Sequence, residues 1–194
     1  MKTKLDHIST LTSGIYSKPD IVADTLYLQV TNFSETGHFD TNVKPQIKLS
    51  NKYEKHLLKD HDILFAAKGF NNFGVVYNKS IGEAVASSSF IIIRITDQFK
   101  KQILPEYLIW YINNNSQVEV FHKRKAASTV PSISISQLSK LEIDIPDLAT
   151  QRLVVNTQQL RDKERNLTLR LEELKDAQMK NILLNAIKKN DHED

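Results

Sequence analysis

The amino-acid sequence predicts an α+β protein in which a mixed α/β domain precedes one long C-terminal helix. Up to Pro146, glycine, proline, asparagine and serine recur between short runs of β-branched and aromatic residues, a pattern typical of strands and turns. After Pro146 there is no glycine or proline, and leucines recur at helical spacing. We therefore predict a domain at residues 1–146 and a helical segment at residues 147–194.

Composition limits the class of protein. The chain has 194 residues, of which 40% are hydrophobic and 25% charged, as in a folded domain. It has no cysteine, so disulfides and cysteine nucleophiles are excluded. The N-terminus lacks the apolar run of a signal peptide, and the longest apolar stretch, residues 90–93, is too short to cross a membrane. We expect a cytoplasmic protein, and its net charge of +3 permits a nucleic-acid partner.

Hydrophobic patterning assigns the elements of the first domain. A helix is predicted at residues 105–112, with Pro105 in its first turn, and a short helical turn at 136–141. Asp147 is a candidate N-cap of the long helix. The isoleucine run at 89–95 predicts a buried core strand. The other predicted strands are residues 25–30, 62–66, 75–77, 84–86 and 142–146.

The C-terminal segment carries a heptad pattern. Its apolar positions are Leu153, Leu160, Leu167 and Leu174, with Leu171 at a second seam position. Such spacing favours a coiled coil or an antiparallel helix pair. The alternative is an amphipathic helix packed on its own domain. Against it, a continuous helix would be about 60 Å long at 1.5 Å per residue, whereas a domain of this size is only ~30–40 Å across.

No catalytic, metal or cofactor constellation is found in the sequence. Gly69 and Gly74 have the spacing of a phosphate loop, but the lysine and the hydroxyl residue that should follow are missing. The six histidines form no ligand set, and residues 87–89, three serines, lack the glycine-flanked elbow of a nucleophile. The sequence therefore predicts a protein that is not an enzyme.

Two polar segments are candidates for DNA contact. In the first, Lys68, Asn71 and Asn72 are predicted base contacts, because lysine can reach guanine and asparagine can read adenine. The second segment has basic side chains beside small hydroxyl residues, which suits phosphate binding. Its predicted phosphate contacts are Lys123, Arg124 and Lys125. The alternative for each segment is an ordinary solvated loop.

The order of these segments resembles one half of a specificity subunit of type I restriction–modification systems. Residues 27–33, followed by Gly37 and Phe39-Asp40, look like the family's early strand and glycine. Residues 62–69 with 74–76 are similar to its central strand, glycine loop and strand. The third similar stretch comprises residues 105–108, 143–148 and Gln151, which look like its closing helix, Ile-Pro stop and helix-opening glutamine.

The resemblance implies a target-recognition domain followed by a conserved helix, with two such halves pairing their helices as an antiparallel coiled coil. Each domain would then read one half of a bipartite site in double-stranded DNA. It also implies docking of an adenine methyltransferase subunit, and of a restriction or translocase subunit in full complexes, with catalysis and cofactor binding in those chains.

Full-length members carry two domains and two helices, whereas this chain has one of each. The resemblance therefore leaves open a homodimer, a pairing with another half-subunit, or a fragment of a longer chain. A different class of function also stays open, namely a dimeric coiled-coil interaction or regulatory module with no DNA role.

Overall fold

The computed structural model describes residues 1–34, 39–69, 72–115, 118 and 131–190, which fall into two compact units, Met1–Arg152 and Leu153–Asp194. In chain order the described elements are β1 (Lys2–Lys4), α1 (Leu5–Ile8), β2 (Ser9–Ser13), β3 (Leu26–Leu28), α2 (Asn51–Glu54), β4 (Ile63–Ala66), β5 (Gly74–Val76), β6 (Ala84–Ala86), β7 (Phe90–Ile95), α3 (Pro105–Asn113), α4 (Ile135–Leu138), β8 (Glu142–Asp144) and α5 (Leu148–Asn190). The predicted α+β class with a long C-terminal helix is confirmed.

A four-stranded antiparallel sheet forms the centre of the first unit, in the order β2-β7-β4-β5. The isoleucine run becomes β7, which is buried on both faces. Ile91, Ile93 and Ile95 belong to one hydrophobic cluster together with α3. Phe90 and Ile92 belong to a second cluster on the other face. Because successive strand side chains alternate between faces, a continuous apolar run fits a strand covered on both sides.

Strands β3 and β6 form a separate parallel pair. The strand predicted at residues 25–30 is shorter in the structure, because β3 ends at Leu28 and a 3-10 turn occupies Val30–Asn32. The side chain of Asn32 accepts a hydrogen bond from the Gln29 backbone N–H at 2.7 Å. This local capping bond gives the backbone an alternative to continued strand pairing.

The first thirteen residues form three elements that the sequence patterns do not predict. Strand β1 pairs antiparallel with β8, and β2 becomes an edge strand of the central sheet. Between them, Leu5 and Ile8 of α1 are fully buried. These short elements lack a periodicity of their own and depend on partners far along the chain.

Helix α5 begins one residue after its cap. Both carboxylate oxygens of Asp147 accept hydrogen bonds from Thr150, one from the backbone N–H at 2.9 Å and one from the hydroxyl at 3.0 Å. The predicted N-cap is therefore confirmed. These bonds hold the pKa of the Asp147 carboxyl below its ordinary value.

The second unit is the remainder of α5. The predicted pairing leucines, Leu153, Leu160, Leu167, Leu171 and Leu174, are between 52% and 68% exposed. A second group of exposed apolar residues follows, formed by Met179, Ile182, Leu183, Leu184 and Ile187. Over the described residues, no helix has both the length and the apolar character required to span a bilayer.

Candidate nucleic-acid interface

Several loops of the first unit meet at one end of the central sheet, and we call this end the loop face. It comprises residues 14–18, 29–33, 67–69, 72–73, 87–89 and 131–133. Backbone hydrogen bonds join the loops in pairs. Gly14 N–H donates to Phe90, Ser87 N–H to Leu28, and Ala67 N–H to Ser89. Gly69 N–H donates to Pro131, and Ile133 N–H donates to Ala67.

The structure places the predicted base contacts in different environments. Lys68 is exposed on the loop face and pairs with Ser132 in an isolated bridge. Asn72 is partly buried, and its amide Nδ2 donates to the carbonyl of Ala66. Asn71 lies outside the described residues. Lys68 is therefore the one of these side chains that is described and exposed.

The predicted phosphate contacts Lys123, Arg124 and Lys125 also lie outside the described residues. The chain on either side of them is anchored. Val118 is buried against the main cluster, and Pro131 accepts the hydrogen bond from Gly69 at 2.9 Å. The segment that carries these residues therefore rejoins the described fold next to Lys68.

Two buried side-chain polar atoms in the described part of the chain lack a hydrogen-bond partner, and both belong to the loop face. They are Oδ1 of Asn72 and Oγ of Ser87. Buried polar atoms are satisfied in the great majority of cases, so such exceptions call for an explanation. Their position at one end of the sheet marks this end as polar and incompletely satisfied.

A cluster of four phenylalanine rings packs between the loops and the central sheet. The ring of Phe33 lies 5.6 Å from Phe39, 6.3 Å from Phe73 and 5.8 Å from Phe90, measured between centroids. These four residues come from three different parts of the chain. The cluster therefore ties the segment after β3 and the loop before β5 to the central strand β7.

Two glycines, one beside the loop face and one within it, have a structural reason for their position. A Cβ atom at Gly74 would lie 1.9 Å from Cδ1 of Ile109, so a larger residue there would require the Ile109 side chain to move. The Asn113 side chain then bonds to both backbone groups of Gly74, at 2.8 and 3.1 Å. Gly69 has a φ of 111°, which glycine adopts without strain.

A partly buried ion pair lies at the opposite end of the sheet. Asp62 is 1% exposed and accepts hydrogen bonds from Nε of Arg94 at 2.6 Å and from its terminal nitrogen at 2.5 Å. The Asp62 partner raises the pKa of the Arg94 guanidinium. Nearby, burial raises the pKa of Tyr77 to about 12, and its hydroxyl donates to the carbonyl of Gly82. Sequence patterns do not point to this pair, because Asp62 and Arg94 are 32 residues apart.

Gln151 joins three segments of the first unit at the start of α5. It is fully buried, and its Oε1 accepts from the Leu104 N–H at 2.9 Å. Its Nε2 donates to the carbonyls of Gln102 and Pro146, at 2.8 and 2.9 Å. The amide is therefore satisfied at both ends, and it connects the segment before α3, the segment after β8 and the first turn of α5.

The sequence interpretation misses Tyr16 and Ser87 as components of the loop face. Tyr16 is 72% exposed, whereas Ser87 is buried. No spacing or motif distinguishes Tyr16, and the serine run that contains Ser87 lacks the motif of a nucleophile and indicates no other role. Their placement depends on the bridge between Ile15 and Ser87, which joins segments far apart in the chain.

Comparisons with known proteins agree on one family. Residues 21–176 match the sequence profile described as the type I restriction modification DNA specificity domain. No curated protein sequence gives a significant match. Among solved structures, a chain of a type I restriction–modification system superposes with a TM-score of 0.60 at 15% identity, covering 86% of this chain and 39% of the other.

Two specificity subunits give similar results. The S subunit from M. genitalium superposes with a TM-score of 0.57 at 16% identity, over 84% of this chain and 39% of that one. The HsdS subunit from Thermoanaerobacter tengcongensis superposes with a TM-score of 0.57 at 16% identity, over 84% of this chain and 37% of that one. The chain thus spans about two fifths of the length of these solved chains. Its family match extends over more than half of its own residues, and the chain belongs to the family of type I restriction–modification DNA specificity domains.

Proposed function

We propose that this chain is a sequence-specific DNA-binding module that directs an adenine methyltransferase to a bipartite site and reads one half-site with its first unit. The observation that carries the proposal is the family match at residues 21–176, which covers both most of the loop-bearing domain and the first part of α5. Lys68, Asn71 and Asn72 are the proposed base contacts, and Lys123, Arg124 and Lys125 the proposed phosphate contacts. Methylation, and cleavage where it occurs, would take place in cytoplasmic partner chains.

The exposed leucines of α5 support the second part of the proposal, which is pairing with another helix. Five leucines more than half exposed on one helix are costly in water unless a partner covers them. An antiparallel pairing with a second copy, or with another half-subunit, would cover them and add a second DNA-reading domain. A second copy would read a symmetric interrupted site, and a different half-subunit an asymmetric one.

The experiment is a selection from a pool of DNA duplexes with randomised positions. The purified chain is used alone and together with the adenine methyltransferase subunit of the same source. We expect enrichment of a defined half-site, and of two half-sites at constant spacing when the helices are paired. The proposal is wrong if neither preparation enriches any sequence. Mapping of N6-methyladenine in cells that express both chains provides an independent readout.

A further inference from the structure

Exposed large hydrophobic side chains in the first unit are concentrated on one loop. Tyr16, Ile21 and Val22, which are 72%, 102% and 66% exposed, all follow β2 within the segment 14–22. We call this segment the Tyr16 loop. Among the described residues, Tyr16 is also the one phenylalanine, tyrosine or tryptophan whose side chain is largely exposed. Isolated exposed apolar residues are ordinary, but three on one short loop indicate a contact surface.

The backbone on both sides of Tyr16 is held by one buried hydroxyl. Tyr27, which is 7% exposed, donates from its hydroxyl to the carbonyl of Ile15 at 2.9 Å and accepts from the Ser17 N–H at 3.3 Å. The Ser17 hydroxyl lies 3.0 Å from the hydroxyl of Tyr53. Tyr16 is therefore exposed between two neighbours whose positions are fixed by hydrogen bonds.

The base of the loop is equally constrained. Gly14 N–H donates to Phe90 and Ile15 N–H to Ala86, at 3.0 and 2.9 Å. A Cβ atom at Gly14 would lie 2.1 Å from the carbonyl oxygen of Ser87. Further along, Asp20 N–H donates to Gln46 at 2.8 Å. A loop ordered in this way before binding loses little conformational entropy on contact with a partner.

The position of the loop favours DNA as that partner. Ile15 pairs with Ser87, which places Tyr16 within the loop face that also carries Lys68. Two residues further on, the exposed Lys18 can contact a phosphate directly, while the exposed Asp20 leaves the loop without a net charge. The tyrosine hydroxyl can donate to a phosphate oxygen, and apolar side chains commonly contact the sugars and base steps of a groove.

We infer that the Tyr16 loop is a second DNA-contacting element of the loop face, with the Tyr16 ring packed against the duplex and its hydroxyl donating to a phosphate. The inference rests on the proposed function, because it assigns a further contact to the same DNA-reading surface. The Tyr27 hydroxyl, which bonds to the backbone of Ile15 and Ser17, would hold Tyr16 in position for this contact.

The test uses the full chain and the duplex that the wild-type protein selects from the randomised pool. We expect Tyr16→Ala to weaken binding at least tenfold with an unchanged melting temperature, since the side chain is exposed. Tyr16→Phe removes only the hydroxyl, and its DNA affinity should lie between those of the wild type and Tyr16→Ala. Thr10→Ala is the matched control, exposed on β2 toward the opposite end of the sheet, and should bind as the wild type does.

The outcomes separate the two ideas. A wild-type chain that selects no duplex overturns the proposed function and this inference with it. A wild-type chain that selects a duplex, together with a Tyr16→Ala variant that binds it within twofold, overturns the inference alone. Unchanged DNA binding with weakened binding of the methyltransferase subunit would assign the loop to a protein contact and also overturn the inference.

Discussion

Single residues of the first unit carry large shares of its stability because their side chains satisfy several buried groups at once. Asp62 accepts two bonds from Arg94 and one from the Lys59 N–H at 2.8 Å. The fully buried Gln151 amide satisfies one backbone N–H and two carbonyls. Removing such a side chain leaves its partners without a hydrogen bond. A buried polar group without a partner lowers stability by more than a typical hydrogen bond adds to it.

We predict that Asp62→Asn lowers the free energy of unfolding by about 2–4 kcal/mol, because the substitution leaves the Arg94 charge without its carboxylate. The loss is smaller than for a fully buried pair, since the Arg94 side chain is 34% exposed and water screens it in part. Urea denaturation measures the change. Asp97→Asn, which breaks the exposed pair with Lys100, is the control and should cost much less, because solvent screens an exposed pair. Equal effects of the two variants would contradict the prediction.

Gln151→Ala should lower the free energy of unfolding by about 2–4 kcal/mol, because three backbone groups lose the fully buried amide that bonds to them. Gln159→Ala, at an exposed position of the same helix, should stay within about 0.5 kcal/mol of the wild type. The same denaturation measurement compares them. A small effect of Gln151→Ala would mean that water replaces the amide at this junction.

The raised pKa of Tyr77 predicts that the protein loses stability at high pH. Its pKa is raised to about 12 in the folded protein, so between pH 10 and 12 the unfolded chain releases a proton that the folded chain keeps. The free energy of unfolding should therefore fall through this window, by on the order of 2 kcal/mol from this residue. Denaturation at pH 9 and pH 11.5 should show a smaller fall for Tyr77→Phe than for the wild type. Tyr16→Phe, at an exposed tyrosine, controls for loss of a hydroxyl, and equal falls in all three proteins would refute the assignment.

At the scale of elements, helix α5 has two different parts. Its first turn is fastened to the first unit by Asp147 and Gln151, whereas the leucines of the second unit are exposed. An amphipathic helix is stabilised chiefly by the packing of its apolar face rather than by helix propensity. The proposed partner helix would therefore stabilise α5 as well as set the spacing of two DNA-reading domains.

Leu167→Asp or Leu160→Asp should weaken the proposed self-association at least tenfold, because each places a carboxylate in an apolar seam. Sedimentation velocity over a concentration series measures the dissociation constant. Thr168→Asp adds the same charge one residue away and serves as the control. Leucine variants that sediment at the wild-type mass over the whole series would refute pairing through this seam.

At the scale of the whole molecule, the proposed DNA contacts divide into two kinds with different signatures. Lys68→Ala, at a base-contact candidate, should cost about 1–3 kcal/mol on the selected site and relax preference at one position. Arg124→Ala, at a phosphate candidate, should weaken all duplexes similarly and reduce the slope of log K against log salt by about 0.9. Fluorescence anisotropy at several salt concentrations measures both. If neither variant changes binding, the DNA surface lies elsewhere on the chain.

The sequence by itself determined the α+β class, the main strands and the long helix. Local composition is sufficient for these features, because glycine, proline and apolar spacing act within a few residues of each other. The resemblance to the specificity family likewise depends on the order of local motifs, and the family match at residues 21–176 agrees with it.

Only the tertiary structure decided which loops share one end of the sheet. Tyr16, Lys68 and Ser87 are brought together there by pairings such as that between Ile15 and Ser87, which no local pattern encodes. The same holds for the Asp62–Arg94 pair and for β1, whose partner β8 lies near residue 143. Long-range hydrogen bonds form, and side chains become buried, only when the whole chain folds. The candidate DNA surface depends on such long-range contacts, whereas most helices and strands depend on local sequence.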